Sequence, residues 1–178
     1  MQSSRVYRKT IKISHHSIAL YYSKAWRSAL SLQQKKVNRK RLQIHLDKTL
    51  RQHKDTCNFS ISHCPELGCY ALCASSAIGI DVESRKRIIS PRAYKRIATQ
   101  SEQKLDIPAI VLWTFKESSW KALKGGQQPL TALDITIVSC TKKAGRFRWQ
   151  KNSHPPTSPT GHGRFIHALG CVMSLAIK

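Results

Sequence analysis

Two acidic residues stand two positions apart at the end of an apolar stretch, in the heptapeptide AIGIDVE (77–83). The apolar run 78–80 is typical of a buried strand, and residues i and i+2 of a strand point to the same face. Asp81 and Glu83 are therefore predicted to present two carboxylates side by side. Two anions this close repel each other unless a cation or a shared proton lies between them. A hard divalent cation bound through oxygen, with positions open for phosphate oxygens, would satisfy both groups.

A simpler interpretation of the same pattern is pairing with nearby arginines. The tetrapeptide SRKR (84–87) follows Glu83 directly, and its arginines Arg85 and Arg87 could neutralise both carboxylates without a metal. The dipeptide pattern alone does not decide between these two interpretations.

A second acidic signal lies in the segment WTFKESSWKALKGG (113–126). On a helix, Trp113, Glu117 and Lys121 are each four residues apart and form one stripe, with Trp120 beside it. A Glu–Lys pair at this spacing is ordinarily a surface pair worth about 0.2–0.5 kcal/mol. Two tryptophans border this pair, which indicates partial burial. A buried glutamate needs a cation, and the metal inferred for Asp81 and Glu83 is the candidate.

The elements that must position these residues can be predicted from periodicity. A helix is expected over 33–53, where neither Gly nor Pro occurs and Leu42, Leu46 and Leu50 recur every four residues. Strands are expected at 59–64, 69–75 and 77–83, with weaker strand-like patches at 6–13 and 17–22. The Ser-Pro pair at 90–91 is a good helix start and predicts a short helix to about residue 105.

In the last third of the chain, a helix is expected to restart at 106–108 and to end at the Gly pair 125–126. Further strands are predicted near 134–140 and 170–177. The segment 150–163 contains three prolines and two glycines and is predicted to be a loop.

Composition bounds the class of protein. The chain has 178 residues, 40% of them hydrophobic, which suits a globular domain with a real core. It carries 31 Lys and Arg against nine Asp and Glu, a formal net charge of +22. Each half carries +11, from 14 basic and three acidic residues in 1–76 and from 17 and six in 77–178. Such a charge predicts a polyanionic partner: nucleic acid, an anionic membrane, an acidic protein or a phosphorylated small molecule.

Hydropathy, the N-terminal segment and the cysteines predict where in the cell the protein is found. No stretch approaches the roughly 18 consecutive apolar residues of a membrane span, and the basic N-terminus lacks the apolar core of a signal peptide. The six cysteines fit no disulfide framework, so free thiols in the cytoplasm are expected.

The motifs together resemble the 4′-phosphopantetheinyl transferase superfamily. SISHC (60–64), IGIDVE (78–83) and WTFKESSWKALKGG (113–126) follow one another in the order of that family, whose strongest motifs are a G-[IV]-D-x-E strand and a W-x-x-K-E-x-x-x-K helix. The upstream Ser-His strand is similar to the Sfp-like, two-lobed, monomeric branch. The resemblance covers about residues 35–135.

The resemblance implies an α+β fold of two similar lobes, 1–76 and 77–178, with the active site in the cleft between them. It implies transfer of 4′-phosphopantetheine from coenzyme A to a serine of an acidic acyl or peptidyl carrier protein, of fatty-acid, polyketide or nonribosomal-peptide synthesis. The second product would be 3′,5′-bisphosphoadenosine. No membrane partner is expected.

The resemblance also implies roles for individual residues. Asp81, Glu83 and Glu117 would ligate Mg²⁺, for which Mn²⁺ can substitute, and Glu117 or a water it orients would help deprotonate the attacking serine. The expected contacts to coenzyme A come from Lys121, Lys116, His63 with Ser62 beside it, and the basic helix around Arg39 and Arg41. Lys54 is the residue that remains from a nucleotide-contacting element of the family, and Trp113 would pack against the site.

Two other classes remain open. A basic nucleic-acid-binding protein fits the charge and the basic helix, although no RNP-type aromatic strand or zinc-finger spacing is present. A catalytically inactive relative of the family fits the motifs as well. Zinc binding by Cys57, Cys64, Cys69 and Cys73 with His63 is disfavoured, because cysteine spacings of seven, five and four residues match no usual ligand pair.

Overall fold

The computed structural model describes residues 6–23, 32–52, 57–124, 132–152 and 159–178, with side chains in the first helix from Lys40 onward. Two antiparallel sheets and four helices make up these residues, which is an α+β architecture compatible with the expected fold. None of the described helices is both long enough and apolar enough to cross a membrane.

The first sheet, sheet A, has the strand order β1-β2-β4-β3. Its strands are β1 (Val6–Ile13), β2 (His16–Ser23), β3 (Asn58–His63) and β4 (Gly68–Cys73). Helix α1 (Leu32–Gln52) connects β2 to β3 and lies against this sheet. These elements confirm the predicted helix at 33–53 and the predicted strands at 6–13, 17–22, 59–64 and 69–75.

The second sheet, sheet B, has the order β5-β9-β8-β7-β6. Its strands are β5 (Ile78–Ser84), β6 (Ile135–Thr141), β7 (Arg146–Lys151), β8 (Thr160–Ala168) and β9 (Cys171–Ile177). Between β5 and β6 lie α2 (Pro91–Ile97), α3 (Gln100–Gln103) and α4 (Ala109–Lys124). Ser90 caps α2 as predicted, because its side chain accepts a hydrogen bond from the backbone of Ala93.

Alternation of buried residues along β4 explains the layering of the molecule. Tyr70 and Leu72 pack with Leu42 and Leu46 of α1, while the intervening residues of β4 join the core shared by the two sheets. On sheet B, a separate core packs α4 against the opposite face. The layers therefore follow the order α1, sheet A, sheet B and α4.

Two predictions about local structure are wrong. The helix expected over 91–105 is two short helices. The first, α2, ends at Ile97, and Thr99 then caps the N-terminus of α3 in a capping box with Glu102. Part of the loop expected over 150–163 is strand, since β8 begins at Thr160. Gly163 suits that strand because a Cβ atom there would lie 2.6 Å from a ring carbon of Phe147. The Gly pair at 125–126 lies outside the described residues.

Candidate active site

The two sheets meet at their edge strands, β3 and β5, through serine side chains. Edge strands carry backbone N–H groups that no neighbouring strand pairs. In β5, the backbone N–H of Ile80 donates to Ser60 Oγ at 3.1 Å, and that of Val82 donates to Ser62 Oγ at 3.3 Å. Two serines on one face of β3 therefore replace a backbone ladder and fix β3 against β5.

Asp81 lies at this junction and uses only one of its carboxylate oxygens. Its Oδ1 accepts hydrogen bonds from Ser62 Oγ and from Lys121 Nζ, both at 2.9 Å. The same ammonium donates to the carbonyl oxygen of Ile80 at 3.0 Å. Among the described residues, Asp81 Oδ2 is buried and has no hydrogen-bond partner. A buried carboxylate oxygen without a partner is energetically costly, so it marks a position where a cation would fit.

Close packing at Gly79 brings α4 to this strand. Gly79 lies on the same face of β5 as Asp81 and Glu83, and a Cβ atom at residue 79 would stand 2.8 Å from the Cβ of Lys121 and would overlap the backbone of Ser118. Only glycine permits this approach. The glycine of the strand motif therefore sets the distance at which the side chains of α4 reach the carboxylates of β5.

Glu83 faces the first part of α4 and is paired with an arginine. Its Oε1 accepts a hydrogen bond from Arg87, four residues later, so the interpretation that arginines neutralise the acids holds for this residue. The Arg87 guanidinium also lies over the ring of Trp113, 5.5 Å from its centre. Burial raises the pKa of Glu83, and the nearby Asp81 adds to this shift, while Arg87 and a hydrogen bond from Trp113 oppose it.

Glu117 completes the group of acids. Burial raises the pKa of its carboxyl, and the charge of Asp81 raises it further, while Lys121 and Arg87 act in the opposite direction. The predicted stripe is partly buried, as expected, and Lys121 pairs with Asp81 of the strand. The charge of Asp81 thus acts on both Glu83 and Glu117, and a divalent cation would relieve that repulsion.

A divalent cation fits this group by the chemistry of its donors. Three carboxylates, one of them with an unpartnered buried oxygen, supply the hard oxygen ligands that Mg²⁺ prefers. The three acids are not drawn together as a closed cage: within the described residues, Cys64, Glu66 and Cys171 are the group whose potential ligand atoms all lie within 4.8 Å of one another. Two of the acids are already paired with a cation, Asp81 with Lys121 and Glu83 with Arg87.

Lys116 lies away from these acids. Its Nζ pairs with Glu102 Oε2 at 2.8 Å, and its side chain is only 2% exposed. Glu102 also accepts from the backbone N–H groups of Thr99 and Ile137, so it joins α3, α4 and β6. This placement is at odds with the expected contact between Lys116 and coenzyme A, because a side chain enclosed in the protein interior does not reach a bound nucleotide.

The pleat of β3 separates Ser62 from His63. Ser62 is buried and faces β5, whereas His63 is exposed on the other face of the strand, together with Phe59 and Ile61. The two residues were expected side by side at a phosphate. The structure brings Ser62 to Asp81. It places His63 at the last position of the edge strand β3, on the exposed face.

The basic helix lies on the far side of sheet A. Helix α1 packs through Leu42 and Leu46 against the face of β4 that points away from sheet B. Arg41 is exposed on this helix, and the side chain of Arg39 lies outside the described residues, as does Lys54. The structure therefore does not bring Arg41 next to the three acids.

A cavity of about 550 Å³ opens elsewhere, between the β1–β2 turn and strands β6 to β8. No acidic residue lines it, and its five basic residues are Lys12, Arg146, Arg148, His162 and Arg164. It contains none of the predicted site residues. A cationic cavity of this kind suits an anion, so binding of nucleic acid or another polyanion there stays a hypothesis.

The sequence did not indicate the role of Ser60, and it indicated Glu102 only as a structural residue, without its partner. Ser60 supports β5 as Ser62 does, and the signal was present in the alternation of serines along the strand. Glu102 orients α4 through Lys116 from 14 positions earlier, and no periodic pattern links residues on separate helices.

Comparison with known proteins identifies the family of the chain. The model of the 4′-phosphopantetheinyl transferase superfamily matches residues 77–169, which include β5, α4 and all three acids. No curated protein matches the chain. The matched segment is just over half of the sequence, and it holds the strand and the helix that approach each other at Gly79. The chain belongs to the 4′-phosphopantetheinyl transferase superfamily.

Proposed function

We propose that this protein transfers 4′-phosphopantetheine from coenzyme A to a serine of an acyl or peptidyl carrier protein, in a reaction that depends on Mg²⁺. Membership of the superfamily supports phosphopantetheinyl transfer in general. The observation that carries the specific proposal is the unpartnered Oδ2 of Asp81, buried beside two carboxylates whose pKa values are raised.

Asp81, Glu83 and Glu117 would hold the divalent cation. When bound, it would neutralise the pyrophosphate of coenzyme A and withdraw electrons from the phosphorus that is attacked. For Glu83 to become a metal ligand, its ion pair with Arg87 must break, at least in part. The pair is partly open to solvent through Arg87, and ion pairs near the surface are worth little, so the exchange is energetically accessible.

The reaction is a displacement at phosphorus. The serine oxygen of the carrier attacks the β-phosphorus of coenzyme A, and the bond from that phosphorus to the bridging oxygen breaks. The products are a phosphodiester on the serine and 3′,5′-bisphosphoadenosine. Glu117 would accept the serine proton, directly or through a water molecule, because its raised pKa brings its basicity closer to that needed at neutral pH.

Lys121 would stabilise the charge that develops on the phosphoryl oxygens. Its side chain is 23% exposed and its ammonium reaches Asp81 from α4, so it can contact both the carboxylate and an incoming phosphate. Ser62 would position Asp81 through its hydroxyl hydrogen bond. Lys116 would act only indirectly, by holding α4 in place through Glu102.

The remaining contacts to coenzyme A are proposed for residues nearer the surface. His63, exposed at the end of β3, would contact a phosphate, and Arg41 with Arg39 would face the 3′-phosphate from α1. We further propose that residues 1–76 and 77–178 form two similar lobes of a monomer, with the substrates bound between them. The acidic carrier would be attracted by the net charge of +22.

We also propose a cytoplasmic location, in which the six cysteines form no disulfide. The carrier could belong to fatty-acid, polyketide or nonribosomal-peptide synthesis.

The test is direct. The protein is incubated with an apo carrier protein, coenzyme A and Mg²⁺, and the carrier is weighed by intact-protein mass spectrometry. We expect a mass increase equal to one phosphopantetheine group, and none when the carrier serine is replaced by alanine. A carrier that stays in the apo form would overturn the proposed transfer, and full turnover in excess EDTA would overturn its metal dependence.

A further inference from the structure

A second group of potential metal ligands lies at the other end of the β3–β5 junction. Cys64 Sγ and Cys171 Sγ are 3.6 Å apart, and one carboxylate oxygen of Glu66 lies within 4.8 Å of both. Cys64 is 5% exposed and Cys171 is fully buried. None of these three residues takes part in the proposed transfer reaction.

The fold brings these residues together from distant parts of the chain. Cys64 and Glu66 lie in the turn between β3 and β4, which is closed by a hydrogen bond from the Cys64 N–H to the Leu67 carbonyl oxygen at 2.9 Å. Cys171 is the first residue of β9 and pairs with Ser84 at the end of β5. The two thiols are 107 positions apart, so no spacing pattern could have indicated the pair.

The carboxylate of Glu66 is oriented but only half satisfied. Its Oε1 accepts a hydrogen bond from Ser84 Oγ at 3.0 Å. Its Oε2 is buried and, among the described residues, has no hydrogen-bond partner. A buried carboxylate oxygen of this kind calls for a cation. The hydroxyl of Ser84 holds the carboxylate as residues behind a metal ligand usually do.

We propose that Cys64, Cys171 and Glu66 bind a zinc ion that joins the β3–β4 turn to β9. Two thiolates about 2.3 Å from one tetrahedral zinc ion are about 3.8 Å apart, close to the separation found here. Zinc accepts this mixture of sulfur and carboxylate oxygen ligands. Binding would release the two thiol protons to solvent. The fourth position would be filled by water.

The site would stabilise the junction that carries the active site. Ser84 follows Glu83 directly, and β3 continues from Ser62 into the turn that contains Cys64. A metal at this point would hold the ends of β3, β5 and β9 together without contacting the substrates.

Titration of the reduced full-length protein with Co²⁺, followed by absorption spectroscopy, tests the proposal. Cobalt held by thiolates gives a charge-transfer band in the near ultraviolet, whereas cobalt held by Asp81, Glu83 and Glu117 does not, so the two sites are distinguishable. We expect the band in the wild-type protein and its displacement by one equivalent of Zn²⁺. Cys171→Ser should remove the band, and Cys73→Ser, a matched change at a buried cysteine outside the group, should retain it.

Two further variants keep the test decisive if Cys171→Ser does not fold. Ser84→Ala, which leaves all three ligands in place, should weaken zinc binding by roughly 10- to 100-fold. Glu66→Gln should weaken it while keeping the thiolate band. Absence of the band in the wild-type protein, or its persistence in folded Cys171→Ser, would overturn the proposal. So would a Cys64–Cys171 disulfide in the freshly purified protein, seen as a mass lower by two hydrogens.

Discussion

Helix α4 carries two lysines that both pair with a carboxylate, in opposite surroundings. Lys116 and Glu102 are enclosed, with 2% and 0% of their side chains exposed, and both oxygens of Glu102 accept hydrogen bonds. Lys121 and Asp81 are more accessible, at 23% and 8% exposed, and Asp81 keeps one oxygen unpartnered within the described residues. We call the enclosed, fully hydrogen-bonded pair Lys116–Glu102 the closed pair and the more accessible pair Lys121–Asp81 the open pair. The closed pair stabilises the fold, whereas the open pair leaves a carboxylate oxygen as a ligand position for a substrate or a metal.

The two sides also differ in how the acids are neutralised. Glu102 has donors from α3, α4 and β6 around it, and burial lowers the pKa of Lys116 while Glu102 opposes that shift. On the other side, three acids share Lys121 and Arg87. The first arrangement is complete as it stands. The second has more negative charge than the local cations remove, which is typical of sites that bind a further cation.

The largest expected effect on stability is at the closed pair. Lys116→Ala should lower the free energy of unfolding by about 3–5 kcal/mol, because it leaves the Glu102 carboxylate buried without its cation. Urea denaturation measures the change. Most of the activity per folded molecule should be retained, because Lys116 does not touch the substrate. A loss of activity in a variant of unchanged stability would mean that Lys116 contacts the substrate after all.

The matching change at the open pair should act on the rate instead. Lys121→Gln is expected to lower kcat for carrier modification by roughly 10²- to 10³-fold, the usual cost of removing one group that stabilises a developing anion. Its effect on stability should be smaller than that of Lys116→Ala, because Asp81 keeps its hydrogen bond from Ser62. Steady-state kinetics and urea denaturation on the same samples separate the two effects. Unchanged kcat would remove Lys121 from the mechanism.

Glu117→Gln should show that the carboxylate of Glu117 does not stabilise the folded protein at neutral pH. Burial and Asp81 raise the pKa of Glu117 above the ordinary value of 4.5, so the folded chain holds this proton more tightly than the unfolded chain does. The contribution of Glu117 to stability is therefore present below pH 4.5 and is lost as the pH rises through the folded pKa.

At neutral pH and without metal, the Tm of Glu117→Gln should accordingly equal or slightly exceed that of the wild-type protein. Added Mg²⁺ should raise the Tm of the wild-type protein more than that of the variant. Thermal scans with EDTA and with Mg²⁺ measure both. A variant that is clearly less stable in EDTA would contradict the proposed role of this carboxylate.

The smallest effect is expected at Arg87. Arg87→Ala removes a half-exposed ion pair and should cost at most about 1 kcal/mol of unfolding free energy. Because Arg87 competes with a cation for Glu83, the variant should reach half-maximal activity at a lower Mg²⁺ concentration. A higher Mg²⁺ requirement would show that Arg87 assists metal binding, and Arg85→Ala, a change at a neighbouring basic residue, serves as the control.

The sequence predicted the local part of this arrangement. Alternation placed Asp81 and Glu83 on one face of β5, and the four-residue spacing placed Trp113, Glu117 and Lys121 on one stripe of α4, because both patterns follow from the repeat of a single element. The boundaries of most strands followed from the same periodicity. These features depend on neighbours in sequence alone.

Features that join separate elements could not be predicted in this way. The buried pair of Lys116 and Glu102 depends on how α3 packs against α4, and the sequence gives no repeat that links them. Strand β8 was missed because its glycines suggest a turn, although Gly163 in fact makes room for the ring of Phe147. The separation of His63 from Ser62 is different, because alternation along the single strand β3 is enough to place neighbouring side chains on opposite faces.

Calorimetric titration of coenzyme A tests most directly whether Asp81 is the centre of a metal-dependent nucleotide site. Wild-type protein and Asp81→Asn are each titrated with coenzyme A, once with Mg²⁺ and once with EDTA, after circular dichroism has shown that the variant is folded. The arrangement of acids predicts that Mg²⁺ strengthens coenzyme A binding to the wild-type protein and has little effect on Asp81→Asn. Equal strengthening by Mg²⁺ in both proteins would contradict the assignment of Asp81 as the metal ligand.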